Sequence, residues 1–437
     1  MKFALVNPHW SWEGSTYFGS QAPVVPLELL GAREFLRRAG HEVLLIDAFL
    51  LKLTTDEVRV QLEGFGEDFL VMPTANSYLF WRCPQPELRV PQAWLRALTT
   101  GRTHRPTTVI IGPHGSSTPI ATLNKTGADV VLRGEPDSNL PLLATTPRFA
   151  IPGCVWKENG RVMQASEPLG VVDMKMVSHL DFSDYPIELH THKHHIFTPV
   201  EGLGAELEFA RGCPYACTFC NKTQFRNKYR ERDVAEVVAE IDALMARGVT
   251  YIYFIDEIFG VGKNVRTLLE EIAKRPSLSI GFQTRIDLWD EAGFDLLGRA
   301  HCISMECGIE SITEQGRDEM NKNCKYSTER ITELLVYAKT RIPWVQANLI
   351  KTPHDNPEEV RAFQDHLKAN GVWVSEPVPM FPFPGSPEYV TTFGAQPDDR
   401  AWERAHEFYL NLFADKGFSD IQDQQPIPLP ELESACR

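Results

Sequence analysis

Three cysteines fall within eight positions of this chain, in the segment RGCPYACTFC at residues 211–220. The spacing Cys-x3-Cys-x2-Cys is short enough for one loop to surround a metal cluster. A fourth cysteine would close a structural zinc site or a fully ligated iron–sulfur cluster, whereas three leave one metal position open for a ligand. A zinc site completed by a nearby histidine and a chance clustering are the alternatives. The candidate metal ligands are Cys213, Cys217 and Cys220.

The other cysteines are scattered along the chain, so a secreted disulfide framework is not expected and a reducing cytoplasm is. The chain has 437 residues, 43% of them hydrophobic and 23% charged, which is enough for two domains with a sizeable core. No apolar run reaches the length of a signal peptide or a membrane span. We therefore expect a cytoplasmic protein that has no membrane partner.

The net charge of -14 weighs against a nucleic-acid partner, because such proteins normally present a basic face. An acidic chain is compatible with a cationic substrate. Solubility alone accounts for most of these carboxylates.

The first 140 residues alternate short apolar strands with helical patterns, which predicts an α/β domain. Strands that are apolar throughout indicate a parallel sheet covered on both faces, here a doubly wound, Rossmann-like sheet. Ligands of such sheets bind beyond the carboxyl ends of the strands. The predicted strands are 2–6, 42–47, 69–73, 107–112 and 129–134.

Residues 141–200 are more irregular and predict a linker with a small hairpin, since Asn159-Gly160 lies between strand-like flanks. The histidines of this segment suggest a metal site, but histidines in an extended polar segment are more often plain surface. These histidines are His190, His192, His194 and His195.

From residue 201 to 390 the strand–helix alternation returns six times, with the sixth strand predicted at 372–379, and this predicts a partial (β/α)6 barrel. Asn356 and Glu359 predict a capping box at one of its helices. Barrels carry their chemistry at the carboxyl ends of the strands, and the cysteines lie just beyond the first strand. Residues 391–437 predict a C-terminal helix, at 400–413, and a proline-rich tail.

Residues 205–390 resemble a radical S-adenosylmethionine (SAM) enzyme, through the cysteine spacing and the aromatic Phe219 before the last cysteine. The resemblance implies that the three thiolates hold a [4Fe-4S] cluster whose open iron chelates SAM. One-electron cleavage of SAM would then give a 5′-deoxyadenosyl radical that abstracts hydrogen from a substrate.

The resemblance also implies site residues at later strand ends. Asp256 and Glu257 match acidic residues near the methionyl amino group, and Arg285 matches an arginine near the carboxylate. An internal ion pair is the alternative for Arg285 and Glu310. The implied cofactor-binding set is Phe219, Asp256, Glu257, Arg285, Glu310, Ser311 and Gln346.

The fifth strand reads IKTPHDN and departs from the glycine-rich pattern of the family. This departure would bring Lys351, Thr352 and His354 near the substrate cavity, although His354 fits a surface loop equally well. Proton transfer to and from a substrate needs an acid and a base. The candidate catalytic residues are Asp256, Glu257, Lys351 and His354.

The N-terminal sheet resembles the cobalamin-binding domain that precedes some radical SAM enzymes. The chain has no Asp-x-His-x-x-Gly motif, which removes support for histidine ligation of cobalt, and Trp81 and Arg82 would partly fill the corrin space. Relatives bind cobalamin without that motif, so the sequence leaves this cofactor open and weighs slightly against it.

Within this subclass the chain resembles the radical diol-dehydratases of aminoglycoside pathways such as that of apramycin. This implies hydrogen abstraction at C4′ of a sugar such as paromamine, loss of the C3′ hydroxyl as water and a 4′-keto product. The implied partners are an electron donor such as flavodoxin or ferredoxin and an NAD(P)H-dependent reductase. The alternatives are a cobalamin-dependent radical C-methyltransferase and a non-catalytic cobalamin or iron–sulfur sensor.

Overall fold

The computed structural model describes residues 1–11, 22–76, 85–167, 169–191, 202–224 and 226–414. The chain divides into two compact units. The first comprises Met1–Asp173, Cys220–Arg226 and Phe381–Arg437, and the second comprises Met174–Phe219 and Asn227–Met380. The predictions for Trp81, Arg82, His192, His194, His195 and the tail after 414 lie outside the described residues.

The first unit begins as alternating strands and helices and ends in two helices. Its elements are β1 (Lys2–Asn7), α1 (Leu27–Arg38), β2 (Glu42–Asp47), α2 (Thr55–Phe65), β3 (Phe69–Pro73), α3 (Arg89–Thr99), β4 (Thr107–Ile111), α4 (Pro113–Ser117), α5 (Pro119–Thr126), β5 (Val130–Leu132), β6 (Cys154–Glu158) and β7 (Arg161–Gln164), with α12 (Pro387–Phe393) and α13 (Ala401–Ala414) after the second unit.

Seven strands form the sheet of the first unit, in the order β2-β1-β3-β4-β5-β6-β7. The first five are parallel, which confirms the doubly wound, Rossmann-like fold. Their side chains are apolar on both faces because helices cover both, and Leu5, Val71 and Ile111 are fully buried.

The hairpin predicted around Asn159 is present as β6 and β7. It adds two antiparallel strands to the edge of the first sheet, where Val131 pairs with Val155. Cys154 and Trp156 are buried in the core of that sheet. The segment 154–164 is therefore an extension of the N-terminal sheet and not a separate linker element, because its inward side chains are apolar.

The second unit repeats a parallel strand followed by a helix. Its elements are β8 (Leu203–Leu207), β9 (Ala210–Arg211), β10 (Arg230–Glu231), α6 (Val234–Ala246), β11 (Val249–Phe254), α7 (Val265–Ile272), β12 (Ser279–Thr284), α8 (Glu291–Arg299), β13 (Cys302–Glu310), α9 (Glu314–Glu319), α10 (Thr328–Lys339), β14 (Trp344–Leu349), α11 (Pro357–Ala369) and β15 (Trp373–Val374).

Six of these strands form a second sheet in the sequential order β8-β11-β12-β13-β14-β15, and every pair is parallel. This order confirms the partial (β/α)6 barrel. One face of the sheet carries apolar side chains that pack against the helices, among them Phe254, Phe282 and Met305, all fully buried.

Two local features differ from the sequence-based expectation. The sixth strand was expected over 372–379, but β15 has only two residues, followed by an isolated bridge between Ile350 and Val378. Asn356 caps α11 by accepting from the Glu358 N–H at 2.8 Å, so the expected capping box with Glu359 is wrong. Among the helices of the described ranges, none combines the length and apolar character needed to cross a membrane.

Candidate functional site

The cysteine loop follows β9, directly beyond the end of the first barrel strand. Gly212, which precedes Cys213, has a φ of 88°, a conformation that residues with a Cβ rarely adopt. Cys213, Cys217 and Cys220 are half-buried, and none of them forms a disulfide within the described residues. In the described part of the chain, no three histidine, cysteine, aspartate or glutamate side chains are arranged as a single-ion site, and the ligand assignment stays a prediction from the motif.

Two carboxylates from the end of β11 hold the entry to this loop. Asp256 accepts hydrogen bonds from the backbone N–H groups of Phe209, at 2.8 Å, and Ala210, at 3.0 Å. Glu257 accepts from the N–H of Gly212 at 2.8 Å. The predicted acidic pair therefore contacts the backbone that leads to Cys213, and Asp256 is 1% exposed.

Burial raises the pKa of Asp256 well above its ordinary 3.8, and the negative charges of Glu208 and Glu257 add to the rise, against the backbone N–H donors. The native state then binds more protons than the unfolded state above pH 3.8, so the free energy of unfolding falls as pH rises. This contribution to the melting temperature of the apoprotein is lost as the pH rises above 3.8, so Asp256→Asn should make the melting temperature fall less steeply with rising pH than it does in the wild type.

Asp242→Asn is the matched control for this measurement. The ion-paired Asp242 has a pKa lowered by its hydrogen bond to Arg275, so its contribution is lost only in more acidic solution. The control should therefore keep the wild-type slope. A dependence of melting temperature on pH that is unchanged in Asp256→Asn would contradict the raised pKa of this carboxyl.

Arg285, at the end of β12, contacts the middle of the cysteine loop. Its guanidinium lies over the ring of Tyr215, 3.9 Å from the ring centroid. Its Nε and Nη2 donate to the two oxygens of Asp287 at 3.0 and 2.9 Å. The internal ion pair that was the alternative for Arg285 is therefore present, with Asp287 as the partner. It is bidentate, so two parallel N–H donors of the guanidinium are used by this carboxylate.

The loop after α9 holds the far side of the cysteine loop. The N–H of Thr218 donates to the carbonyl of Met320 at 3.0 Å. Nδ2 of Asn321 donates to the carbonyl of Ala216 at 2.8 Å. The loop that carries Cys213 and Cys217 is therefore anchored at its entry, middle and far side.

Glu310 ends β13 with a φ of 69°, a left-handed conformation that is uncommon for a residue with a side chain. Its carboxylate accepts from Nζ of Lys322 at 3.0 Å. A Cβ on Gly308 would lie 2.3 Å from Oε1 of Glu310, so this carboxylate position requires a glycine there. The ion pair of Glu310 is made with Lys322, which the sequence did not single out.

Ser311 and Gln346 make separate sets of contacts. Ser311 donates to Oδ1 of Asp355 at 2.6 Å. Gln346, on β14, donates to Oδ1 of Asn348 at 2.8 Å and is 5% exposed. Ser311 therefore links the loops that follow β13 and β14, whereas Gln346 lies on the face of the sheet opposite the apolar one.

Lys351 and His354 lie in the loop after β14. The backbone N–H of Lys351 donates to the carbonyl of Val378 at 2.8 Å. Nε2 of His354 lies 2.5 Å from Oε2 of Glu319 on α9, an exposed residue. Phe219, within the cysteine loop, is half-buried.

A buried polar layer on the inner face of the barrel sheet was missed from the sequence. Tyr253 and Gln283 donate to the two carboxylate oxygens of Glu306, each at 3.1 Å. Gln283, Glu306 and Gln346 are register partners, so their side chains share one face. The alternation of polar and apolar residues in CISMECGI (302–309) could have signalled this layer, since Ser304 and Glu306 lie two positions apart and therefore on the same face of the strand.

The carboxyl edge of the first sheet carries polar side chains that are fully buried. Among the described residues, the side-chain polar atoms of Thr74, Asn76 and Gln85 have no hydrogen-bond partner. Burying such groups unpaired costs about 1–3 kcal/mol each. Thr74 and Asn76 follow β3 directly and Gln85 lies further along the same connection to α3, so the unpaired groups of this connection fit a polar ligand.

The neighbouring end of β4 is filled by the chain itself. The ring of Trp402, from α13, packs 4.3 Å from the buried ring of His114, and its Nε1 donates to Thr118 at 2.9 Å. Burial lowers the pKa of His114 to about 3. A Cβ on Gly112 would lie 2.4 Å from Oγ1 of Thr74. His114 is thus a covered, neutral core histidine.

Residues 207–367 match the model of the Radical SAM superfamily. The match covers the cysteine loop and the strands from β11 to β14. The second unit therefore contains a radical SAM domain, as the cysteine spacing predicted.

Curated relatives extend the similarity over about three-quarters of the chain. The anaerobic magnesium-protoporphyrin IX monomethyl ester cyclase of Rubrivivax gelatinosus is 26% identical over 340 residues, 74% of this chain and 58% of the relative. The hopanoid C-3 methylase of Methylococcus capsulatus is 26% identical over 338 residues, 75% of this chain and 61% of the relative. The matched region thus spans about three-fifths of these relatives.

Solved structures show the same fold. The radical SAM methyltransferase TsrM from Kitasatospora setae, with tryptophan and a SAM analogue bound, has a TM-score of 0.69 at 20% identity and covers 89% of this chain and 74% of its own. The cobalamin-dependent SAM radical enzyme OxsB, with aqua-cobalamin bound, has a TM-score of 0.72 at 14% identity and covers 96% and 67%. At these identities the likeness concerns the fold.

The residues present fit the cofactors of a radical SAM domain, a [4Fe-4S] cluster and SAM. The three thiols are the soft ligands that such a cluster requires, and they lie on one anchored loop at a carboxyl end of the barrel. For cobalamin, two observations in the first unit point in opposite directions. The unpaired polar groups that follow β3 fit a polar ligand, whereas Trp402 occupies the space at the end of β4.

Proposed function

We propose that this chain is a radical SAM enzyme that abstracts hydrogen from a polar small molecule. The observation that carries the proposal is the anchored three-cysteine loop at the carboxyl end of a parallel partial barrel that matches the Radical SAM superfamily. When bound, the cluster and SAM supply a 5′-deoxyadenosyl radical. The chain's own residues hold the loop and line the inner face of the sheet.

Radical transfer of a methyl group is the finer reaction that the comparisons favour. Relatives and structural neighbours include a methylase and a methyltransferase, and a neighbour binds cobalamin. If a corrin binds the first unit, Thr74, Asn76 and Gln85 would hold its polar groups. This reaction would use SAM as the methyl source and leave S-adenosylhomocysteine.

Radical dehydration of a vicinal diol in an aminoglycoside such as paromamine is the second candidate. One observation favours a reaction without corrin, namely that Trp402 fills the space over His114 and Thr74 fills the space over Gly112. The radical would take hydrogen from one carbinol carbon, the adjacent hydroxyl would leave as water, and an electron and a proton would complete the keto product. The electron would come from a flavodoxin- or ferredoxin-type donor.

The products of SAM distinguish these reactions. The anaerobically reconstituted enzyme is incubated with reductant, SAM and paromamine, with and without hydroxocobalamin. We expect 5′-deoxyadenosine in either case, since both candidates belong to the radical SAM class. A dehydrated sugar formed without cobalamin supports dehydration, and S-adenosylhomocysteine that appears only with cobalamin supports methyl transfer.

Corrin binding is measured separately, by the corrin absorbance retained after gel filtration. Under methyl transfer, Asn76→Leu should lower retention by about tenfold, because one or two hydrogen bonds are lost. Gln92→Leu is the control and should retain the corrin, because Gln92 is half-buried on α3 and lines a cavity with Thr108, at the amino end of β4. A reconstituted wild-type enzyme that forms no 5′-deoxyadenosine with reductant would contradict the proposed function itself.

A further inference from the structure

The contact between Arg285 and Tyr215 joins the cysteine loop to the end of the third barrel strand. Tyr215 lies between Cys213 and Cys217, and its ring is half-buried beneath the guanidinium. A guanidinium over an aromatic face is attracted by the negative face of the ring. Both residues belong to the second unit.

The hydrogen bonds of Arg285 leave little capacity for another partner. A guanidinium has five N–H donors. Nε and Nη2 donate to Asp287, Nη2 also donates to the carbonyl of Asn323 at 3.3 Å, and Nη1 donates to the carbonyl of Lys322. Four donors are therefore engaged, and a bidentate contact with an incoming carboxylate would require Asp287 to leave.

We propose that Arg285 is a positioning residue that clamps the cysteine loop through Tyr215, with Asp287 and the 320–324 loop holding the guanidinium in place. The clamp presets the backbone around Cys213 and Cys217 before the cluster binds. Its consequence for cluster retention rests on the proposed function, whereas its effect on the loop of the apoprotein does not.

The physical advantage of such a clamp is conformational. A loop that is ordered before it binds a ligand loses less conformational entropy on binding. Three thiolates also repel one another, so a loop free to move would separate them. The hydrogen bonds of Thr218 with Met320 and of Asn321 with Ala216 restrain the same loop. The contact of Arg285 with Tyr215 therefore acts together with them to fix the loop.

Amide hydrogen exchange of the apoprotein tests the clamp without any cofactor. In Tyr215→Leu the N–H of Thr218, which donates to Met320, should exchange about tenfold faster, the size expected of one partly buried cation–π contact. Tyr215→Phe keeps the aromatic face and should keep the protection. Arg285→Lys keeps the charge without the planar fork and should also speed exchange. Wild-type exchange in both Tyr215→Leu and Arg285→Lys would overturn the proposal.

Cluster retention tests the second half of the proposal. After anaerobic reconstitution and exposure to a chelator, Tyr215→Leu should lose iron about tenfold faster than wild type, and Tyr215→Phe should restore the wild-type rate and the electron paramagnetic resonance signal of the reduced cluster. Faster amide exchange with an unchanged rate of iron loss would overturn the role in cluster binding. A wild-type protein that takes up no iron and sulfide would instead contradict the proposed function. In that case the hydrogen-exchange experiment would still test whether Arg285 restrains the loop, because it uses the apoprotein.

Discussion

Replacement of Cys213, Cys217 or Cys220 by alanine is expected to reduce 5′-deoxyadenosine formation by more than about 100-fold. Loss of an outer-shell partner of a metal ligand already costs about 10–100-fold, and a directly bonded thiolate contributes more. With two thiolates left, the loop has too few ligands to keep a cluster that also needs one open iron. The measurement is 5′-deoxyadenosine formed per chain, together with iron and sulfide content after anaerobic reconstitution.

Cys302→Ala is the matched control for the cysteine variants. Cys302 begins β13, is fully buried, and burial raises the pKa of its thiol, so it stays protonated and is a poor metal ligand. This variant should keep its iron, sulfide and SAM cleavage. Retained cleavage in any one of the three motif variants would contradict the ligand assignment, and zinc in place of iron and sulfide would favour the zinc alternative.

The fold could be predicted because its signals are local. Strands such as FLVMP at 69–73 are apolar at every position, and only a sheet covered on both faces buries all of them. The caps of the barrel helices are local too, as at Asp233, which accepts from the N–H of Ala235 at 2.8 Å. The cysteine spacing likewise lies within one loop.

The partners of the site side chains could not be predicted because they are set by tertiary packing. Arg285 and Lys322 lie 37 positions apart, and only the folded barrel brings that arginine to the carbonyl of Lys322. Glu310 and Lys322 pair across a turn that includes the whole of α9. A sequence pattern places a charged residue at a strand end, but it does not say whether that charge faces a cofactor or a neighbouring loop.

The partner of the hairpin at 154–164 also could not be predicted from the sequence, because it is set by tertiary packing. Asn159-Gly160 correctly indicated a hairpin, but a turn signal carries no information about which sheet its strands join. The pairing of Val131 with Val155 depends on the apolar inner side of β6, which packs on Leu132 and Ile151 in one core. The inner polar layer at Glu306 was missed for a similar reason, since its donors come from two other strands.

Arg232→Met is expected to destabilise the second unit by about 3–5 kcal/mol, the cost of removing one partner from a buried ion pair. The side chains of Arg232 and Glu240 are 1% and 0% exposed, and Nη2 of Arg232 lies 2.5 Å from Oε2 of Glu240. Nη1 and Nη2 also donate to the carbonyls of Glu208, at 2.8 Å, and Ser178, at 3.0 Å. The substitution leaves the Glu240 carboxylate buried without this cation.

Two further variants separate the ion pair from the packing. Arg330→Met removes a half-buried arginine, with 36% of its side chain exposed, that pairs with Glu291 at the surface, and such surface pairs contribute only about 0–1 kcal/mol. The double variant Arg232→Met with Glu240→Leu removes both buried charges and should recover most of the lost stability, because an apolar pair of similar volume often replaces a buried ion pair at little cost. Urea unfolding of the apoprotein measures the free energy of unfolding of all three variants.

A loss of stability in Arg232→Met no larger than that in Arg330→Met would show that Glu240 is solvated or held by other donors, such as the N–H of Leu180 at 3.0 Å. Because the N–H of Arg232 also donates to the carbonyl of Phe209, at 2.9 Å, this pair supports the backbone that leads into the cysteine loop.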